Sequence, residues 1–167
     1  MISLFRGILQ LVTYGTFAAA LGYFSFWPRY EYASAELATI KVSVSHATWH
    51  VKPCVLLTPQ QIAELPPNMR RTESCERKRL PLTMEVEVDG DIMLRVDAEP
   101  SGLWGDGPAS VYERFEVAPG VHVLTTRLRD TDRAGGWDYV RSDEVFFQPG
   151  RYFSVTFRAE NEGISYR

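Results

Sequence analysis

Two kinds of apolar pattern divide the chain. From Ile8 to Trp27 (ILQLVTYGTFAAALGYFSFW) no residue is charged, and about twenty helical residues rise roughly 30 Å, the depth of a hydrocarbon core. Gln10, Thr13 and Thr16 are polar but tolerable in lipid. Tyr23, Trp27 and Tyr30 are placed to collect at the outer interface, and Pro28 stops the helix. A cleaved signal peptide is the rival reading, with Met1 to Arg6 as its basic end and Ala18-Ala19-Ala20 offering a small-residue cut. Apolar sequence continues through Leu21, Tyr23, Phe24, Phe26 and Trp27, long for such a segment, and favours an uncleaved anchor.

Beyond a linker over residues 28–37 the period changes to two. In Thr39 to Ser45, Ile40, Val42 and Val44 point one way and polar residues the other, the pattern of a half-buried strand. Leu82 to Asp89 repeats it, with Leu82, Met84, Val86 and Val88 inward and Glu85, Glu87 and Asp89 outward to solvent. Asp89-Gly90-Asp91 supplies a hairpin turn into a strand over Ile92 to Ala98. Further strands are expected at Val111 to Val117, Val121 to Arg129, Tyr139 to Phe147 and Tyr152 to Ala159, with Pro119-Gly120 and Pro149-Gly150 as tight turns. Thr58-Pro59-Gln60-Gln61 carries a helix start: a capping threonine, proline at the first helical position, and glutamine three residues after the cap. Pro66-Pro67 ends that helix near Leu65. The predicted fold class is all-β: an N-terminal transmembrane helix, then an antiparallel, Ig-like β-sandwich of about seven strands with a short helical insertion.

The length of 167 residues suits one domain plus an anchor. The expected division is a cytoplasmic tail over 1–7, a transmembrane helix over 8–27, the linker, and an exported domain over 38–167 with an insertion at 54–75. Cys54 and Cys75 are the only cysteines. If the apolar segment exports the rest of the chain, they meet an oxidising compartment and pair, closing a loop of roughly 20 residues worth about 3 kcal/mol; reduced buried thiols or a metal pair are the alternatives. The positive-inside signal is weak, since Arg6 precedes the span and Arg29 and Lys41 come after it. The cysteine pair and the β-rich part therefore set the expected topology: a cell inner membrane protein, single-pass, N-terminus cytoplasmic and C-terminal domain periplasmic.

A formal net charge of −3 argues against a protein built to hold nucleic acid. Charge is uneven, however: Arg70, Arg71, Arg77, Lys78 and Arg79 crowd one stretch against Glu73 and Glu76. That stretch is either a solvated loop or a basic ledge for anionic head groups or an acidic partner. In the apolar segment Gly15, Ala18, Ala19 and Gly22 put small residues on one helical side, where a neighbouring helix could seat closely, although lone spans also carry such residues.

Candidate chemistry is thin. His46, His50 and Cys54 recur at intervals of four, with Cys75 or Met69 available as further metal ligands, but Pro53 breaks a helix there and an oxidised Cys54 is lost as a ligand. Asp130, Asp132, Gly135 and Asp138 fall at calcium-loop positions, yet Ala134 and Arg141 stand where ligands are needed. The Gly102-Leu103-Trp104-Gly105-Asp106-Gly107-Pro108 loop lacks a phosphate-cradling arrangement, and Asp106 would repel an anion. Trp104 and Trp137 are candidate contact residues for another protein, or caps on the core. No serine elbow, haem-attachment motif or C-x-x-C pair exists, and the outward strand carboxylates read as solvated, so no enzyme and no cofactor is expected.

Val88-Asp89-Gly90 opening a hairpin, and Val117-Ala118-Pro119-Gly120-Val121-His122-Val123-Leu124 entering a strand, resemble PEGA-type small β-sandwich modules over about a third of the chain. The 54–75 insertion departs from those modules. The whole layout is similar to single-pass, membrane-anchored periplasmic proteins of proteobacteria, which implies a location and no activity. The expected function is a non-catalytic accessory subunit or assembly factor of an inner-membrane complex. Its partners would be integral membrane subunits, with the bilayer contacted through the anchor. The competing expectations are a periplasmic copper carrier using His46, His50, Met69 and the cysteines, and a glycan- or envelope-binding module.

Overall fold

The computed structural model describes residues 2–29, 34–159 and 163–167, and the chain forms two units, Met1–Ser34 and Ala35–Arg167. In the first unit the uncharged run is one helix, α1, over Ile2–Phe26. It starts at Ile2 rather than Ile8, so residues expected as a tail are helical and Arg6 lies inside the first turns. The helix is long and apolar enough to cross a membrane, a test that a signal sequence near an N-terminus also passes. The Thr13 hydroxyl donates to the Leu9 carbonyl at 2.8 Å, which satisfies it within the helix. Tyr23 lies against Phe24 and Trp27, with ring centroids 5.3 and 5.6 Å away. Tyr30, and residues 30–33 of the expected linker, lie outside the described residues.

The second unit is mostly β. Its strands are β1 Ala38–His46, β2 Val55–Leu56, β3 Glu73–Ser74, β4 Leu82–Val88, β5 Asp91–Ala98, β6 Ala109–Val117, β7 Gly120–Arg129, β8 Tyr139–Phe147, β9 Tyr152–Arg158 and β10 Gly163–Tyr166. All seven expected strands are present within a residue or two at each end. The sequence pattern does not reveal β10, too short to show alternation, or the ribbon of β2 and β3. The short helix α2, Pro59–Glu64, starts with the expected capping box: Gln61 N–H donates to the Thr58 hydroxyl while the Gln61 side chain accepts from Thr58 N–H.

Two four-stranded sheets have the orders β10-β9-β1-β6 and β5-β4-β7-β8. Apolar residues of both gather in one core cluster that includes Ile40, Val42, Met84, Val86, Leu124, Leu128, Phe147 and Val155. The expectation of a purely antiparallel arrangement needs one correction. β1 and β9 run parallel, with Thr39 opposite Tyr152 and Ser43 opposite Thr156. The reason is that neither Pro-Gly turn closes a hairpin. Pro119-Gly120 carries the chain from β6 in one sheet to β7 in the other, and Pro149-Gly150 carries it back from β8 to β9. Gly150 has φ +67°, and a Cβ there would stand 3.1 Å from the Ala35 carbonyl oxygen, so both conformation and space require glycine. A true hairpin joins β4 and β5: Asp89 and Gly90 both have positive φ, 53° and 94°, between the paired Val88 and Asp91, the primed turn that matches strand twist.

A second correction concerns β4. Glu85 lies on the side facing away from Leu82 and Met84, as the alternation predicts, but it is buried, at 6% exposure. β4 runs between β5 and β7, and their arginines fold over its carboxylates. Arg127 Nη1 donates to Glu85 at 2.8 Å and also to Glu87, and Arg95 stands 3.6 Å from Glu85. The bond to Glu87, more than the opposing burial, lifts the Arg127 guanidinium further above its ordinary range. Where β8 and β10 approach, the Tyr166 hydroxyl donates to the Arg141 carbonyl at 3.0 Å, the Arg141 side chain donates to the Ile164 carbonyl at 2.9 Å, and its guanidinium lies 4.6 Å from the Tyr166 ring. This tyrosine–arginine clasp joins the two sheets along that side.

Candidate functional site

Most of the unusual chemistry collects at the end of the β body where β1 finishes. After His46 the chain continues beside residues 78–80. Thr48, fully buried, donates its hydroxyl to the Leu80 carbonyl; Leu80 N–H donates to the Trp49 carbonyl at 2.8 Å and Val51 N–H to the Lys78 carbonyl at 3.0 Å. This neck closes the insertion. Above it Cys54 and Cys75 form a disulfide, next to the two-pair β2–β3 ribbon and α2, none of whose residues is buried. A segment with so little apolar burial cannot hold itself, so the covalent bridge and the neck define its shape.

The basic stretch is only partly a ledge. Arg70, Arg71 and Lys78 are exposed. Arg77 is exposed too, but it grips Asp106 at 2.6 Å, with its guanidinium 6.0 Å from the Trp104 ring. Arg79 is half-buried and donates to the carbonyls of Thr48 and Asp106, while its own N–H donates to the Gly105 carbonyl at 2.9 Å. Arg77 and Arg79 therefore stitch the segment that follows the insertion to the 99–108 loop. Asp106, expected to repel anions, is neutralised by Arg77, whose hydrogen bond holds the carboxyl below its ordinary range.

The result is a set of exposed apolar side chains on connected segments. Trp49 is 65% exposed, Trp104 64% and Leu103 92%, and Val51, Val55, Leu56 and Met69 are also exposed. Trp49, Val51, Pro53 and Leu80 line an open groove of about 330 Å³ together with His50, Thr131 and Asp132. Of the two tryptophans singled out from sequence, Trp104 stands out to solvent, whereas Trp137 is half-buried with the Arg129 guanidinium 6.0 Å from its ring. Sequence reasoning missed Trp49, Leu103 and the Val55–Leu56 pair. An apolar residue in a loop carries no periodic signal, so only the fold shows that these share one end.

The metal-ligand set anticipated from spacing is redistributed. His46 Nε2 donates to the Asp130 carboxylate at 2.7 Å and meets the Phe157 ring edge-on at 4.9 Å, so it closes the core. Met69 lies in an exposed single turn of 3-10 helix. His50 instead meets the cysteines: its ring nitrogen and the two sulfurs all lie within 4.8 Å of one another. Its Nδ1 is buried and has no hydrogen-bond partner among the described residues. In the calcium-like loop Asp130 is taken by His46, Asp132 is exposed, and Asp138 is satisfied within the loop. Asp138 accepts from the N–H groups of Asp130 and Thr131 and from the Thr131 hydroxyl at 2.8 Å, and pairs with Arg133. Burial pushes the Asp138 carboxyl up, but the Thr131 hydroxyl and the two N–H groups outweigh it and hold the value below the ordinary range. On α1, Gly15 and Gly22 have nothing near the position a Cβ would take, and Ala18 and Ala19 are exposed.

No protein-family model, no curated protein and no solved structure matches the chain.

Proposed function

We propose that this chain is a non-catalytic accessory subunit or assembly factor of an inner-membrane protein complex, of respiratory or transport type. In this reading α1 stays uncleaved and spans the membrane from a cytoplasmic N-terminus. Its Gly15, Ala18, Ala19 and Gly22 side receives a partner helix. The β body, taken as an Ig-like sandwich whose faces are the two four-stranded sheets, lies in the periplasm, which suits the Cys54–Cys75 bridge.

The observation that carries the reading is the exposed Trp49, Leu103 and Trp104 on segments tied by Arg77, Arg79 and the disulfide. Rigid exposed aromatics in a polar rim suit protein contact, because they lose little side-chain freedom on binding and bury a large apolar area. Exposed Arg70 and Arg71 on the insertion and Lys78 just after it are candidates to meet an acidic rim. The test is purification of the full chain in mild detergent from its own membranes, with mass spectrometry of whatever accompanies it. An integral membrane protein should co-purify near stoichiometry, and its yield should fall at least about tenfold in Trp49→Ala/Trp104→Ala, which removes two anchoring aromatics. A chain that purifies alone, or a mature N-terminus near residue 21, overturns the reading.

A further inference from the structure

We propose that His50, Cys54 and Cys75 form a copper(I) site that opens when the disulfide is reduced. The inference is independent of the accessory-subunit reading, since it concerns three side chains and no partner. It rests on two observations. One nitrogen of His50 and both sulfurs already lie within 4.8 Å of one another. His50 is half-buried, and its Nδ1 atom is shielded from solvent without a hydrogen-bond partner among the described residues, an orphan that buried polar atoms ordinarily avoid and that a metal ion would satisfy.

While the sulfurs are bonded to each other they are poor ligands. A dithiol reductant changes this: it supplies two electrons and two protons, becomes a cyclic disulfide, and leaves two thiols on the chain. Binding of a copper(I) ion then releases the two thiol protons, and the His50 Nδ1 lone pair supplies the third ligand with the ring proton on Nε2. Copper keeps its oxidation state throughout. Two thiolates and one imidazole select a soft ion, and zinc would demand a fourth ligand that no other histidine, cysteine or carboxylate among the described residues brings to this cluster. Access is available, because His50 lines the open groove beside Trp49 and Pro53. His46 and Met69 play no part in this set.

The experiment uses the full chain in detergent, anaerobically, with copper(I) presented in a coloured bicinchoninate complex. Chain reduced with a dithiol and freed of it should withdraw one copper per molecule; the oxidised chain and reduced Cys54→Ser/Cys75→Ser should withdraw none. His50→Ala should bind at least about tenfold more weakly, since even outer-shell changes cost 10–100-fold, while His46→Ala and Met69→Ala bind as wild type. X-ray absorption at the copper edge of the wild-type complex should count two sulfur neighbours and one nitrogen, which does not depend on how any variant folds. The proposal fails if reduced wild type holds no more copper than the double serine variant, if His50→Ala binds as tightly as wild type, if the copper neighbours are sulfur alone, or if zinc resists displacement by copper(I).

Discussion

The Cys54–Cys75 bridge should decide whether the insertion has a shape, and the body should scarcely notice its loss. The residues are 21 apart in sequence, so the chain-entropy model assigns the cross-link about 3 kcal/mol. Little else competes with that figure. The ribbon has two residue pairs, Leu57 N–H adds one bond to the Thr72 carbonyl at 2.8 Å, and the six-residue α2 buries nothing; helices so short do not stand alone in water. The core cluster, by contrast, draws no residue from between the cysteines. Cys54→Ser/Cys75→Ser should therefore raise local opening of the insertion about a hundredfold while shifting stability of the body by less than about 1 kcal/mol. Hydrogen exchange resolved by peptide would show residues 55–74 losing protection and residues 82–88 keeping it. Trypsin should cut at Arg70 and Arg71 far faster than in the bridged chain. Unchanged protection of 55–74, or melting of the body in step with the insertion, would refute the reasoning and mean that the insertion packs as part of the core.

Three further outcomes are expected from the body. Arg127→Ala leaves the buried Glu85 beside Glu87 with only the longer 3.6 Å contact to Arg95 and should cost about 2–4 kcal/mol in chemical denaturation, whereas Arg127→Met with Glu85→Leu should recover most of it; an equal loss in both would show that shape, and not charge, sets the cost. Asp138→Ala should destabilise the chain by about 1–2 kcal/mol through three lost hydrogen bonds. Because the folded carboxyl lies below its ordinary 3.8, that stability is fully present above 3.8 and disappears as pH falls through the lower folded value. The gap between the melting curves of wild type and variant should narrow there, and a gap that does not shrink at the acid end would contradict the assignment. Gly90→Ala meets open space but a φ of +94°, so it should cost about 1–2 kcal/mol by thermal unfolding, with no change if the turn simply relaxes to another type.

Strand positions were legible because β pairing needs only a period-two pattern, and Ile40, Val42 and Val44 carry it plainly. Environment was less legible. Glu85 alternates as a solvated residue does, and only the pairing of β4 with β7 brings Arg127 over it. Pro119-Gly120 and Pro149-Gly150 announced turns, yet a turn between sheets and a turn within a hairpin use the same residues. The cysteine bridge could be expected from count and spacing. The convergence of His50 on it could not, because the 48–51 segment owes its path to pairing with residues 78–80. His46, equally suggestive in spacing, was claimed by Asp130 from a loop far along the chain.

The parallel pairing of β1 with β9 has a consequence for how the body is made. The first strand to emerge during synthesis cannot complete its sheet until Tyr152 to Thr156 have been made, and loops of that length close slowly. Until then β1 has only β6 beside it. Truncation before β9 would leave Ile40 and Val42 with an open strand edge, and such a product should be cleared by proteases and not accumulate.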